Sequence, residues 1–367
     1  MKGNRLMAVL VLLPSLILVG VFVYGFIAWT AYTSMTDSTG LQQLSGLPAN
    51  FVGFRNYEEL FNGALQSRFR IAIVNNVFFT ILFIITCLSL GLLLAILLDQ
   101  KIKGESIFRT IFLFPMALSF VVTGVVWKWL FNPDYGINAL PAMVGLERGT
   151  FRWFISSEKW LPFNWQQVPT FIVMILLGFV IFFALRWWSK RRSQMAAFAA
   201  ALALLLLMLL TFDVPRQAVP LISEPHAFNV ALIAVVVAAG WQMAGYTMAM
   251  YLAGLRGISE DLREAARVDG ASELGVYRHV ILPLLQPITL SAMIILGHIS
   301  LKIFDLVYTM GGDTNLAIDM PGLTMYLTTF RASDFARGAA IAMVMLVMVA
   351  LVIVPYLVTS LRSEKPS

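Results

Sequence analysis

Eight stretches of this chain are apolar for long enough to cross a lipid bilayer, and they leave little freedom for anything else. A helix needs about 20 mainly apolar residues to traverse the hydrocarbon core. Only a structure that satisfies its own backbone hydrogen bonds can sit there. The segments at 7–32, 74–98, 108–131, 168–188, 195–212, 228–254, 280–304 and 339–361 meet the requirement. The fifth is short, but AAFAAALALLLLMLLTF carries no charge. The pattern predicts an all-α integral membrane protein with eight transmembrane helices. Hydrophobic residues at 59% and charged residues at 13% exclude an ordinary soluble domain. The first run is too long for the apolar part of a signal peptide, and no small-x-small site precedes the polar stretch at Ser34–Gly40. It reads as a retained first span.

An even number of spans puts both termini on one side. That side takes 15 of the 26 Lys and Arg but only 8 of the 20 Asp and Glu. Basic loops stay in the cytoplasm, so both termini are expected there. The net charge of +6 is then a topology signal rather than a sign of nucleic acid. The basic hairpin SKRRSQ at 189–194 reads as a stop-transfer cluster. The single cysteine, Cys87, lies in an apolar run and cannot form an internal disulfide. His226, His279 and His298 are scattered, and no metal-ligand cluster is visible. No cofactor is expected to bind this chain.

The stretch between the sixth and seventh runs, Leu262 to Pro287, reads LREAARVDGASELGVYRHVILPLLQP. On this topology it is cytoplasmic. Ile258, Leu262, Ala265 and Ala266 fall at helical spacing on one face. Glu260 and Asp261 occupy the first turn, where acidic groups suit the helix dipole. Gly270 sits where a helix would stop. An apolar face too small to anchor in lipid calls for a protein groove, which makes this helix a docking element.

The spacing of Glu264, Ala265, Ala266, Gly270, Val280, Leu282 and Pro283 resembles the signature of permease subunits of binding-protein-dependent ABC importers, with Val280 where Ile is usual. EAARVDGAS, which includes Asp269, closely resembles the sugar-permease branch. FVGFRNYEELF at 51–61, FRTIFLFPMALSFVVTGVVWKWLFNPDYGINAL at 108–140 and ISLKIFDLVYTMGG at 299–312 extend the resemblance along most of the chain, in the order of the maltose-type F subunit. The resemblance implies the type I ABC importer transmembrane fold in the cell membrane. It implies a second, homologous permease chain, two ATPase subunits that bind ATP and Mg, and an extracytoplasmic sugar-binding protein. It also implies that the 256–272 region is the coupling helix, with Glu264, Ala265, Ala266, Asp269, Gly270, Leu282 and Pro283 at the ATPase.

Three parts are then expected: 1–145 with spans one to three, a family-atypical insertion at 146–226 with two extra spans, and a core part at 227–367. The insertion, with Trp153, Trp160 and Trp165, reads as a lipid-facing brace. No G-x-x-x-x-G-K-[ST] occurs, so the chain is not the ATPase and is not expected to be an enzyme. A membrane-embedded transferase would need an acidic catalytic cluster, and a secondary transporter would need inverted repeats and broken helices around midplane charges; the sequence suggests none of these.

Polar groups facing lipid are costly, so intramembrane polar residues point to the substrate path. Gln242 and Tyr246, four apart on one helical face, and Ser300 supply the amide, aromatic and hydroxyl groups that hold sugars. The relatives' sugar site lies on the two helices that carry them. Helix–helix hydrogen bonding is the alternative for the same residues. Lys302 and Asp305 are expected to pair, and Asn75 and Asn76 to cap the second span. With Lys302 the one interior cation near the path, a neutral sugar is expected rather than a phosphate ester such as glycerol phosphate.

Overall fold

The structure, a computed structural model, describes residues 2–63, 66–100, 102–189, 193–217 and 226–363. Among them the chain is almost wholly helical. The principal helices are α1 (Val11–Thr33), α2 (Ser67–Asp99), α3 (Glu105–Ala117), α4 (Phe120–Leu130), α5 (Gln167–Ser189) and α6 (Ser193–Thr211). There follow α7 (Leu232–Gly257), α8 (Glu260–Val268), α9 (Glu273–Leu284), α10 (Gln286–Leu301), α11 (Asp305–Gly311), α12 (Pro321–Tyr326) and α13 (Phe335–Ser363). All eight expected segments lie on helices. The basic residues Lys190, Arg191 and Arg192 of the expected hairpin lie outside the described residues.

Two of the eight segments are bent rather than single helices. The 108–131 segment is α3 and α4, bent by 101°. The ring of Pro115 sits in a short 3-10 turn, Phe114–Ala117, and Leu118 is extended. Ser119 then starts α4 by accepting a hydrogen bond from the Val122 amide. The 280–304 segment bends by 63° between α9 and α10. Pro283 and Pro287 flank that bend, and a π turn at Tyr277–Ile281 precedes it. Each proline removes an amide and crowds the carbonyl four residues back, so helices kink there. Two segments are therefore bent, which the length of an apolar run does not reveal.

The chain divides into two compact units. The larger holds residues 1–61, 68–158 and 229–367. Its centre is α7, with a face rich in Ala, Gly and other small residues that lets neighbours approach closely. Thr247 donates to the Cys87 carbonyl at 2.6 Å, which fixes α7 against α2. At this crossing a Cβ on Gly91 would land on the Thr247 hydroxyl and 2.8 Å from the Met248 amide nitrogen. By contrast α1 exposes apolar side chains such as Val11, Leu16, Phe22 and Trp29, as a lipid-facing helix would.

Asn75 and Asn76 do not cap the second span. α2 begins at Ser67, so both lie inside it and are fully buried. Asn75 donates to the carbonyls of Leu316 (3.1 Å), Ala317 (3.3 Å) and Asp319 (3.0 Å), and accepts from Asn229 at 2.7 Å. Asn76 donates to the Ser300 carbonyl at 3.0 Å. A buried amide must find such partners, and these two staple the 316–320 loop and the end of α10 to α2.

The second unit holds residues 62–67 and 159–228. In it α5 and α6 form a helical pair, and two short strands, β1 (Lys159–Phe163) and β2 (His226–Asn229), pair beside it. Trp160 packs on Phe228, and Phe163 and Trp165 pack on the buried ring of His226. No residue of α5 is buried, and its exposed apolar side chains include Phe171, Ile175, Phe179 and Trp188. The longer segment of this unit starts at Lys159, so residues 146–158 of the expected insertion group with the larger unit.

Candidate coupling site and translocation path

α8 is a nine-residue helix with Glu260 and Asp261 in its first turn. It ends in a Schellman arrangement: the Ala271 amide donates to Ala266 and the Gly270 amide to Arg267, both at 3.0 Å. Gly270 sits at φ +86, the left-handed conformation that side chains with a Cβ resist. The expected single apolar face is divided. Ile258 and Ala266 pack on a core that includes Tyr251, Leu255 and Val276, whereas Leu262 and Ala265 are exposed. Glu264, Asp269, Gly270, Leu282 and Pro283 are exposed as well. Val268 and Leu274 are 87% and 78% exposed, too much for apolar groups with nothing to cover them.

Ion pairs hold this loop in shape. Arg263 meets Asp99 at 2.8 Å and donates to the Leu255 carbonyl at 2.9 Å. Arg267 bridges Glu273 at 2.7 Å and Glu260 at 3.2 Å. Glu105 accepts from Arg256 at 2.6 Å and Arg109 at 2.7 Å. The hydrogen bond from Arg256 holds the Glu105 carboxyl below its ordinary range, and that from Arg267 does the same for Glu273. A carboxyl lowered in the fold stabilises it above the ordinary carboxylate range and loses that contribution as pH falls through the lowered value, so these pairs are intact at neutral pH.

The path residues chosen from sequence are scattered in role. Gln242 is buried and donates to the Leu118 carbonyl at 2.7 Å, at the α3–α4 break. Its Oε1 has no hydrogen-bond partner among the described residues. Ser300 is fully buried and donates within its own helix to Gly297 at 2.9 Å. Tyr246 is part-exposed, one turn beyond Gln242. A nearby cleft of about 450 Å³ is lined by Thr86, Pro115, Trp127, Trp241 and Gly245 rather than by any of the three. The expected Lys302–Asp305 pair is not formed. α10 ends at Leu301, and Asp305 opens α11 instead. Lys302 points back along α10, with Nζ 2.8 Å from His298 Nε2.

Sequence reasoning missed two features. The first is an aromatic ladder on α11, α12 and the turn after it. Phe304 stacks on Tyr308 at 5.6 Å, Tyr326 lies 5.1 Å from Phe304 and 5.8 Å from Tyr308, and Phe330 follows at 5.6 Å from Tyr326. Arg331 donates to the Tyr308 hydroxyl at 3.5 Å. The i, i+4 spacings 304/308 and 326/330 were the available signal. The second is Arg68, which pairs with the buried Asp319 and donates to the Asp313 carbonyl at 2.8 Å. Burial pushes the Asp319 carboxyl up to about 6.

A probable ABC transporter permease protein of Pyrococcus horikoshii is 33% identical to this chain, over 97% of it and 96% of the relative. Residues 194–363 match the family described as binding-protein-dependent transport system inner membrane component. The chain belongs to that family. This permease is also similar to the xylose/arabinose import permease protein XacH of Haloferax volcanii, at 32% identity over 93% of the chain and 84% of the relative. The trehalose/maltose transport system permease protein MalF of Thermococcus litoralis is 25% identical over 95% and 91%. Most of 146–226 falls within the 360 residues aligned to the Pyrococcus relative. A chain from the crystal structure of a bacterial alginate ABC transporter, bound to a pentasaccharide-loaded periplasmic protein, superposes with a TM-score of 0.62. The superposition covers 96% of this permease and 93% of that chain at 17% identity, a likeness of fold. The chain is a multi-pass membrane transport subunit and not itself an enzyme.

Proposed function

We propose that this permease carries a sugar, handed to it by an extracytoplasmic binding protein, through a path it forms with a second permease chain. Two ATPase subunits drive the cycle by docking on the α8 loop. The observation that carries this reading is the loop itself: a nine-residue helix, closed by Gly270, that presents Glu264, Ala265 and Leu262 to solvent. Such a surface fits a groove on another protein. Both termini and this loop lie in the cytoplasm, with eight spans in all, the third and seventh broken. The names of the xylose/arabinose and trehalose/maltose relatives support a sugar as cargo.

The aromatic ladder suits the same cargo. Sugars are held by ring faces together with hydroxyl and charged hydrogen-bonding groups, and Tyr308, Tyr326 and Arg331 place these side by side. The test is reconstitution with the partner chains in liposomes, followed by uptake of radiolabelled glucose, xylose, maltose and trehalose with ATP inside. ATP-dependent accumulation of at least one supports the reading. Accumulation of none, with active ATPase, refutes sugar as the cargo class for this panel.

One observation favours a second reading of the cargo. Lys302 has no carboxylate partner among the described residues and rests against His298. An exposed ammonium there suits an anionic solute, and a relative from Rhizobium meliloti is named a glycerol-3-phosphate permease protein, at 23% identity. Uptake of radiolabelled glycerol 3-phosphate, lost in Lys302→Gln, would select it over a neutral sugar.

A further inference from the structure

We propose that the ion pair between Arg263 and Asp99 is the contact through which movement of α8 reaches the opposite end of the permease, so that both are positioning residues for transport. The inference rests on the reading of α8 as the ATPase-coupling helix.

α8 has no fully buried residue and meets the core beneath it through part-buried Ala266, so its polar contacts weigh heavily in what moves with it. Of these the Arg263 pair is the best shielded, with side chains 12% and 9% exposed. The guanidinium joins three elements: α8, which carries it; the last residue of α2, Asp99; and the last turn of α7 through the Leu255 carbonyl. The other ion pairs near the loop do less. Arg267 pairs with Glu260 of α8 itself and with Glu273 of the same loop, both exposed. Arg256 and Glu105 join α7 to α3 without touching α8. A shielded pair resists separation because breaking it leaves a charge without compensation.

α2 is the right element to receive that pull. It runs 33 residues without a proline, a rod roughly 50 Å long. The spans α3–α4 and α9–α10 are broken and would absorb displacement at their bends. At the far end of α2, Arg68 holds Asp319 and the Asp313 carbonyl, and Asn75 holds the carbonyls of residues 316, 317 and 319. One uninterrupted helix thus links the coupling loop at Asp99 to the 313–320 loop at Arg68 and Asn75.

The test uses the complete complex with its ATPase and an environment-sensitive fluorophore on Thr314→Cys, an exposed position in that loop. ATP with orthovanadate is expected to change the emission of the otherwise wild-type complex. Asp99→Arg and Arg263→Asp are each expected to keep ATPase bound and hydrolysing while losing most of that change. The double variant Asp99→Arg/Arg263→Asp, with the pair restored in reverse, is expected to recover it. Single variants that keep the full change, or a double variant as defective as the singles, would overturn the proposal. If either reversal fails to assemble, Asp99→Asn and Arg263→Gln are compared in the same way, and a full signal in both also overturns it. Failure of the wild-type permease to bind the ATPase at all is a separate result, which refutes the coupling reading beneath the proposal.

Discussion

Gln242 on α7 donates its side-chain amide to the Leu118 carbonyl, at 2.7 Å, where α3 gives way to α4. The break leaves Leu118 extended, so its carbonyl has left the helical ladder. An unpaired carbonyl inside a membrane protein is costly, and Gln242 supplies the missing donor.

Gln242→Leu keeps most of the volume and removes the donor. Leaving the Leu118 carbonyl unpaired is expected to cost about 1–3 kcal/mol. Thermal unfolding in detergent should show a lower midpoint, and Gln242→Glu, which keeps length but not the amide donors, should fall as well. A Gln242→Leu protein as stable as wild type would mean that something other than this residue supports the bend.

The α2–α7 crossing has no room to spare. Gly91→Val pushes a branched side chain into Thr247 and toward the Met248 backbone. The helices must separate, which also breaks the bond from Thr247 to Cys87. Overpacking of this kind costs typically 1–3 kcal/mol. Trimming the opposing residue in Gly91→Ala/Thr247→Ala should recover only part of the loss from Gly91→Ala, because the Met248 amide stays in the way. Full recovery, measured as yield of monodisperse protein and melting midpoint, would show that the side chain alone sets the spacing.

Much of this architecture is legible in the residues, and the failures share a cause. Apolar run length places all eight segments on helices, and the Glu264–Gly270 pattern finds α8 because both signals are local. The bends were harder. Pro115, Pro283 and Pro287 stand in plain view, but a proline in a span kinks it by an amount set by neighbours such as Gln242. Asn75 and Asn76 read as helix-start residues in the sequence because their partners, the 316–319 carbonyls and Ser300, lie more than 200 residues away. Lys302 and Asp305 were paired by helical spacing, which fails because the helix ends between them. Asp99 is a lone acid at the end of a long apolar run, and only the fold brings Arg263 to it.

Gly270 offers a test of the turn that closes α8. At φ +86 a valine is strained more than an alanine, because a β-branched side chain tolerates the left-handed region least. A left-handed residue other than glycine costs roughly 1–2 kcal/mol. No atom lies within 4 Å of where its Cβ would stand, so the effect is backbone strain rather than collision. Gly270→Val is expected to leave expression near normal and to reduce uptake per ATP hydrolysed. Gly270→Asn, which tolerates this conformation better, should retain more of it. Equal uptake in all three proteins would show that the turn is dispensable.

Ala265 and Ala266 are neighbours with different surroundings, and they separate docking from folding. Ala265 is exposed, whereas Ala266 packs on the core beneath α8. Ala265→Trp is expected to leave the melting midpoint of the isolated permease unchanged and to abolish co-purification of the ATPase, because the large ring blocks a close approach. Ala266→Trp should lower both, since its ring must first displace Ile258 or Ala271 from their places on that core. Glu264→Lys reverses an exposed charge just before them and should weaken association without affecting stability. Pull-down of ATPase on tagged permease, read beside the melting curve of each variant, decides the matter. Wild-type ATPase retention in Ala265→Trp and Glu264→Lys together would move the docking surface off α8 and leave Leu262, Val268 and Leu274 exposed for some other purpose.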